Sequence, residues 1–279
     1  MQTTIQYIKK ELADLYSKTE ISGFVRIIFE FICGLSYTGL ILQKDIKITS
    51  SQLIQIEAIV QRLKRFEPIQ YILGETEFYG LKLKVNPDIL IPRPETEELV
   101  QWMTESLWPN NPAILDVGAG SGCIALALKK QLPEAKISAV DFSAEVLKTA
   151  IENAEINELE VEFIHFDVLQ WSKRNWPYFD GIVSNPPYVR ELEKKQMHPN
   201  VLKYEPETAL YVPDEDPLIF YREIGHFALH YLKPGGNLFF EINENFGIET
   251  VQLLKHIGFK NIILRKDIHG KNRMVKGVK

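Results

Sequence analysis

Hydrophobic side chains recur at helical spacing over the first quarter of the chain. The clearest case is a run of apolar residues three or four positions apart: Leu53, Ile56, Val60 and Leu63. The pattern predicts three helices, over residues 5–16, 22–35 and 51–66. Ser50 or Ser51 is suited to cap the last of them. We therefore expect a small helical bundle over residues 1–70.

From residue 113 onward the pattern changes to short apolar runs that alternate with amphipathic stretches. The runs predict strands over residues 113–117, 136–140, 161–166, 179–184 and 237–242. The stretches predict helices over residues 121–131, 143–157, 217–232 and 246–257. Two further runs, 261–266 and 273–278, predict a terminal hairpin. This alternation is typical of an α/β domain with a mainly parallel sheet covered by helices on both faces.

Two segments fit neither pattern. Residues 71–95 are rich in glycine and proline and include a hairpin-like pair of short strands over 78–85, so we interpret them as a linker. A helix is predicted over 95–107, and the α/β domain then occupies residues 96–279. Residues 190–215 are predicted to form a long polar loop, which favours a role in substrate binding.

A glycine-rich turn follows the first strand of the α/β domain. It reads Asp116-Val-Gly118-Ala-Gly120-Ser-Gly122, and glycines let a ligand approach the backbone near helix N–H groups. Cys123 stands where a dinucleotide fingerprint needs its third glycine, so that fingerprint is not met. Asp141, at the end of the second strand, can bind both ribose hydroxyls. It can equally begin the next helix, for which Ser143 is a good cap.

The sequence Asn185-Pro186-Pro187-Tyr188 follows the fourth strand. Two prolines hold the backbone extended, and the Asn185 amide and the Pro186 carbonyl can accept the hydrogens of an NH2 group. Tyr188 can lie flat against a planar group. The motif therefore suits a carboxamide or the amino edge of a base. Asn-Pro and Pro-Pro are also common in turns that merely end a strand.

Together these motifs resemble the N5-glutamine methyltransferases that depend on S-adenosylmethionine, and most of all the peptide chain release factor glutamine methyltransferase (PrmC/HemK) family. Upstream segments extend the resemblance over nearly the whole chain: 68–74, 77–80 and 91–97. The resemblance implies a Rossmann-like sheet with an antiparallel last strand. It also implies methyl transfer to the glutamine of the Gly-Gly-Gln loop in class I release factors, with S-adenosylhomocysteine as the product.

The resemblance assigns roles to individual residues. The implied cofactor-binding residues are Gly118, Ala119, Gly120, Ser121, Gly122, Asp141, Asp167, Val168 and Asn185. The implied catalytic residues are Asn185, Pro186 and Tyr188, and the implied substrate-binding residues are Asn185, Pro186, Pro187 and Tyr188. Asp167 would accept from the purine amino group and Val168 would contact the ring, although some relatives carry tryptophan at the latter position.

The family also implies roles for the segments upstream of the sheet. The helical bundle would hold the protein substrate, but a packing role is also open. Arg93 and Glu97 are candidates for a lid over the cofactor pocket, and a salt-bridged helix start is the alternative.

Composition narrows the remaining alternatives. The 279 residues carry a net charge of −5, which disfavours a protein that binds nucleic acid through broad phosphate attraction. Two cysteines and six histidines show no metal-ligand spacing, so we expect no metal. The N-terminus lacks a secretion signal, and Arg26 and Glu30 interrupt the apolar stretch 24–42, so we expect a soluble cytoplasmic protein without a membrane span.

Three alternatives to a release factor methyltransferase stay open at this point. They are an enzyme that methylates the adenine amino group in nucleic acid, an enzyme that methylates a ribosomal-protein glutamine, and a non-catalytic protein that binds the cofactor only to regulate a partner.

Overall fold

The computed structural model describes residues 1–42 and 47–279. These residues form two compact units. The first consists of Met1–Gly74 and His198–Tyr204, and the second of Glu75–Met197 and Glu205–Lys279. Within the described ranges, none of the helices combines the length and the apolar character needed to cross a bilayer.

The α-helices, in chain order, are α1 (Gln2–Leu12), α2 (Lys18–Cys33), α3 (Tyr37–Leu42), α4 (Ser50–Leu63), α5 (Ile69–Leu73), α6 (Pro94–Thr104), α7 (Cys123–Gln131), α8 (Ala144–Ile156), α9 (Pro199–Tyr204), α10 (Ile219–Tyr231) and α11 (Gly247–Ile257). The strands are β1 (Glu75–Phe78), β2 (Leu81–Lys84), β3 (Ala113–Val117), β4 (Lys136–Asp141), β5 (Glu162–His165), β6 (Phe179–Ser184), β7 (Val189–Arg190), β8 (Tyr211–Val212), β9 (Leu232–Glu241), β10 (Lys260–Lys266) and β11 (Asn272–Val278). Short 3₁₀ helices lie at Val168–Lys173, Glu191–Gln196, Glu207–Ala209 and Glu244–Phe246.

The first unit has an apolar core of its own, to which α1, α2 and α4 contribute Ile8, Phe29 and Ile56. Helix α2 begins at Lys18 rather than at the predicted residue 22, because Ser17 and Glu20 form a capping box. The predicted caps of α4, Ser50 and Ser51, were wrong. Thr49 has the extended backbone of a cap and accepts from the Gln52 N–H, whereas both serines already lie in the helix.

The segment His198–Tyr204, which contains α9, completes the first unit, although it is distant in sequence from the other helices. The Tyr204 hydroxyl donates to the Arg65 carbonyl at 3.0 Å. The His198 ring meets Phe66 edge-on at 5.8 Å, and the Lys203 ammonium lies 5.9 Å from the same ring. The first unit is therefore built from two separate segments of the sequence.

The second unit is organised by a seven-stranded sheet of order β10-β11-β9-β6-β3-β4-β5. Strands β5, β4, β3, β6 and β9 run parallel, and β11 pairs antiparallel with both β9 and β10. The predicted α/β class and its antiparallel last strand are thus confirmed. Neighbouring residues of β3 face opposite sides of the sheet: Ile114 packs in the core formed with α6, α7 and α8, and Leu115 in the core formed with α10 and α11.

The chain runs from β3 outward to β5 on one side and then returns to β6 on the other side of β3. The carboxyl ends of β3, β4 and β6 therefore meet where the strand order reverses. In open α/β sheets this is where ligands bind.

The prediction of an unstructured loop over residues 190–215 was wrong. The segment contains two 3₁₀ helices and α9, and β7 pairs in parallel with β8. Elements of two to six residues are too short to show a hydrophobic period, and here long-range pairing stabilises them. The hairpin of β1 and β2 forms as expected but begins at Glu75.

Candidate active site

A cavity of about 400 Å³ opens at the carboxyl ends of the central strands. Its volume falls in the range of about 300–1,000 Å³ that is usual for sites of small molecules and cofactors. The walls come from parts of the segments 88–93, 117–124, 140–146, 166–168, 184–187 and 206–209, together with Thr96, Phe220 and Ile224. The two sequence motifs therefore lie on one cavity.

The glycine turn presents open backbone to this cavity. Gly118 and Gly120 have φ angles of +84° and +53°, and a Cβ atom at either position would meet no atom within 4 Å. Both line the cavity, as do Ala119 and Ser121. Gly122 does not line it. A Cβ there would lie 3.4–3.5 Å from three side chains, so this glycine serves the start of α7 and its packing.

Asp141 lines the cavity next to the glycine turn. Its Oδ2 accepts from the Gly120 N–H at 3.0 Å and its Oδ1 accepts from the Ser143 N–H at 3.0 Å. Burial raises the pKa of Asp141. Ser143 caps α8, as predicted, by accepting from the Val146 N–H. Asp141 thus links the turn to the helix start and also faces the cavity, so both sequence-based interpretations fit its position.

Asp167 and Val168 line the cavity beyond β5. Asp167 also caps the following 3₁₀ helix, since its Oδ1 accepts from the Leu169 N–H at 2.9 Å. Two aromatic residues that the sequence analysis did not select, Phe142 and Phe166, lie on the same wall. Phe142 is 57% exposed, which is unusual for a phenylalanine at the end of a buried strand.

Asn185, Pro186 and Pro187 line the cavity next to the glycine turn, because Ser184 pairs with Val117 on the neighbouring strand. The segment after the prolines is anchored because the N–H groups of Tyr188 and Val189 both donate to the Leu210 carbonyl, at 3.2 and 2.9 Å. Tyr188 is not part of the cavity wall. Its ring packs beside the core around α10 and α11, and its hydroxyl points to a buried carboxylate.

That carboxylate belongs to Glu241, at the end of β9, and it is 1% exposed. Glu241 Oε2 accepts from the Thr96 hydroxyl at 2.6 Å, and Oε1 accepts from the Tyr188 hydroxyl at 3.0 Å. Thr96 Oγ1 in turn accepts from Asn185 Nδ2 at 3.2 Å. Burial raises the pKa of Glu241, although these hydrogen bonds and the charge of Arg273 oppose the rise.

An ion pair connects two walls of the cavity. Arg93 Nη2 lies 2.6 and 2.7 Å from the two carboxylate oxygens of Glu205, whose side chain is fully buried. Arg93 lines the cavity, and Pro206 follows Glu205 on the facing wall. Glu97, the other candidate for a lid, does not line the cavity. Its Oε1 accepts from the Tyr79 N–H at 2.6 Å, in the turn between β1 and β2.

Comparison with known proteins assigns this arrangement to a family. The chain is 49% identical to the release factor glutamine methyltransferase of Flavobacterium psychrophilum, over 95% of this chain and 94% of that protein. It is 42% identical to the release factor glutamine methyltransferase of Bacteroides thetaiotaomicron, over 99% of each. The chain belongs to the release factor glutamine methyltransferase family. The family resemblance seen in the sequence motifs is confirmed.

Two family models match separate parts of this methyltransferase. "PrmC N-terminal domain" matches residues 3–74, and "Methyltransferase small domain" matches residues 94–205. Among solved structures, the 16S rRNA N2 G1207 methyltransferase of Thermus thermophilus, in complex with AdoMet and guanosine, is 20% identical with a TM-score of 0.53, covering 74% of this chain and 49% of that chain. This likeness supports the methyltransferase fold alone.

The protein is therefore an enzyme of the methyltransferase class. The relatives do not favour the alternative of adenine methylation. Among the described residues, no group of three or more His, Cys, Asp and Glu side chains is arranged to bind a metal ion.

Thr96, Glu205 and Glu241 were missed by the sequence analysis. Thr96 lies within the segment 91–97 that carries the family resemblance. Glu241 directly follows the apolar run 238–240, which is a signal for a buried acid at a strand end. Glu205 lies in a stretch that the sequence analysis interpreted only as a loop.

Proposed function

We propose that this protein transfers the methyl group of S-adenosylmethionine to the N5 amide nitrogen of a glutamine, and that the glutamine is that of the Gly-Gly-Gln loop of class I release factors. One observation carries the proposal: Asn185 and Pro186 lie on the same cavity as the open glycine turn of Gly118 and Gly120. A group that can hold an amide and a surface that can hold a nucleotide then face one space.

The residues present fit S-adenosylmethionine. The open backbone at Gly118 and Gly120 leaves room for close approach, and Asp141 retains free lone pairs for ribose hydroxyls. Ser121 Oγ is buried, and among the described residues no oxygen or nitrogen atom pairs with it, so it can bind a polar group of the cofactor. We assign Asp167 to the purine amino group and Val168 to the ring. When bound, S-adenosylmethionine supplies a methyl carbon activated by a positive sulfur.

The protein's task on the substrate side is to orient a weak nucleophile. An amide nitrogen is a poor nucleophile because its lone pair is delocalised into the carbonyl. If Asn185 Oδ1 and the Pro186 carbonyl accept its two N–H groups, they hold the nitrogen in line and stabilise the positive charge that develops on it. The proton can leave after the transfer, so this arrangement needs no strong general base.

Pro187 would close the substrate side of the cavity, which it lines. The role of Tyr188 in holding the plane of the substrate amide stays a prediction. In the structure its hydroxyl is directed to Glu241 and its ring lies outside the cavity wall. Pro206, Thr208 and Ala209 line the cavity, which supports a substrate-binding role for this part of residues 190–215. The helical unit of Met1–Gly74 would bind the release factor.

The test uses the Asn185→Ala variant with labelled S-adenosylmethionine and intact release factor. We expect the variant to lose methyl transfer while cofactor affinity, measured by calorimetry, stays close to that of the wild type. A release factor whose loop glutamine is replaced serves as the substrate control. Normal turnover by the variant would reject the role of Asn185. Equal labelling of the control substrate would reject the acceptor, and labelling of a ribosomal protein instead would favour the alternative substrate.

A further inference from the structure

We infer that Thr96 and Glu241 are positioning residues that fix the direction of the Asn185 amide, so that its oxygen faces the substrate. The inference rests on the proposed function, because it concerns the group that would accept hydrogen bonds from the substrate amide. Neither residue needs to touch the substrate glutamine for this role. They act through the chain of hydrogen bonds from Glu241 to Thr96 to Asn185.

The direction of these hydrogen bonds follows from the number of protons that the side chains can donate. Glu241 accepts on both oxygens, from Thr96 and from Tyr188, and donates to neither of them. The Thr96 hydroxyl has one proton, and the 2.6 Å contact with Glu241 uses it. Thr96 Oγ1 can then only accept from its remaining neighbour. Asn185 must therefore present its NH2 group to Thr96.

The consequence for Asn185 is chemical. An amide side chain has a donor end and an acceptor end, and its two ends differ little in shape. With Nδ2 bound to Thr96, Oδ1 is left for the cavity that Asn185 lines. The reversed orientation would present an NH2 group to the NH2 group of the substrate, and neither could accept. Fixing the direction is therefore a requirement for holding the nucleophile.

The surroundings explain why this direction is maintained. Glu241 is 1% exposed and Thr96 is 2% exposed, so water does not compete for their hydrogen bonds. Tyr188 occupies the second oxygen of Glu241, which stops the carboxylate from turning away from Thr96. Tyr188 of the Asn-Pro-Pro-Tyr sequence can therefore hold Glu241 in place from its position outside the cavity wall.

The experiment compares steady-state kinetics of Thr96→Val, Thr96→Ser and Glu241→Gln with the wild type, on intact release factor. Valine keeps the shape of threonine but removes the hydroxyl, so Asn185 loses the partner that sets its direction. We expect kcat to fall by about 10²-fold, the order of effect that follows from a misplaced reacting group, while KM for S-adenosylmethionine changes little. Thr96→Ser retains the hydroxyl and should recover most of the lost kcat.

Glu241→Gln tests the proton argument itself. A glutamine can donate to Thr96, which frees the threonine proton for Asn185 Oδ1 and permits the reversed amide. We expect kcat to fall although the side chain keeps its size and its hydrogen bonds. Thr104→Val is the matched control, because Thr104 lies on the same helix and its hydroxyl donates to the Gln101 carbonyl. This control should turn over like the wild type.

A double variant separates positioning from structure. If Thr96 acts through Asn185, then Thr96→Val should not lower the residual rate of Asn185→Ala any further, measured in single turnover with excess enzyme. An additional loss in the double variant, or wild-type kcat in Glu241→Gln, would overturn the inference. Should Thr96→Val fail to fold, Glu241→Gln with its kcat and KM decides the matter. Absence of transfer by the wild type would instead reject the proposed function, before any variant is compared.

Discussion

The ion pair between Arg93 and Glu205 allows a quantitative test of how the cavity walls are held. Replacing Arg93 by methionine keeps much of the side-chain volume but removes the charge that balances a buried carboxylate. Glu205 would retain one weak contact, from the Ile91 N–H at 3.4 Å. The Arg93 side chain is 32% exposed and that of Glu205 is 0% exposed, so the cost falls mainly on the glutamate.

The magnitude follows from this asymmetry. Removing one partner of a buried pair destabilises a protein by about 3–5 kcal/mol. Because Arg93 is partly exposed, water can reach the vacated space, and we expect the lower end, about 3 kcal/mol. A domain of this size loses about 2–4 °C in Tm per kcal/mol, so Arg93→Met should melt about 6–12 °C below the wild type.

The assay is thermal unfolding followed by tryptophan fluorescence. All four tryptophans, Trp102, Trp108, Trp171 and Trp176, lie in the second unit, so the signal reports on the unit that contains the pair. Lys148→Met is the matched control, since its partner Glu145 is 70% exposed and the pair should contribute little. The double variant Arg93→Met/Glu205→Leu leaves no charge unpaired and should regain most of the loss. Equal melting of Arg93→Met and the control, or a double variant no more stable than the single one, would refute the reasoning.

Two further predictions concern other parts of the structure. Gly181→Ala places a Cβ atom 2.5 Å from Cη2 of Trp108, so urea titrations should show that it destabilises the second unit by about 1–3 kcal/mol. Gly23→Ala is the contrasting case: its Cβ atom meets no atom within 4 Å, and the variant should stabilise α2 by about 0.5–1 kcal/mol. Burial raises the pKa of Asp116 well above its usual value. The contribution of Asp116 to the free energy of unfolding is therefore fully present below the unfolded pKa of about 3.9, and it is lost as the pH rises towards the folded pKa. Asp116→Asn should therefore show a flatter dependence of unfolding free energy on pH above that value, and parallel curves for variant and wild type would contradict this assignment.

The central sheet could be predicted because its strands are long apolar runs. Strands β3, β4 and β6 were located within a residue or two for this reason. The start of β9 was placed five residues late, since the turn-like segment 233–236 argues against a strand. In the structure Leu232 pairs with Phe179, but the register then shifts so that the next pair joins Gly181 to Asn237, and Gly235 has a φ of +80°. The segment 233–236 thus keeps a turn-like backbone as an irregularity within β9, and the distant pair formed by Leu232 places the start of the strand before it.

Much of the candidate site was also predictable, because the glycine turn and Asn185 each directly follow a clear strand. The network behind Asn185 was not. Thr96 and Glu241 are 145 residues apart, and Arg93 and Glu205 are 112 apart. No local pattern connects residues at such separations, and each of these side chains taken alone resembles an ordinary polar residue of a helix or loop. The position of Tyr188 outside the cavity wall depends on the same distant partner.

The composition of the first unit limits how the chain can be divided. Because Tyr204 donates to the Arg65 carbonyl and the His198 ring meets Phe66, a fragment that ends at Gly74 lacks these contacts. Residues 1–74 thus cannot be exchanged as an independent unit. A chimaera that exchanges it with a relative's must carry the matching residues 198–204 as well, and any substitution at their contact faces has to be compensated on both stretches of the sequence.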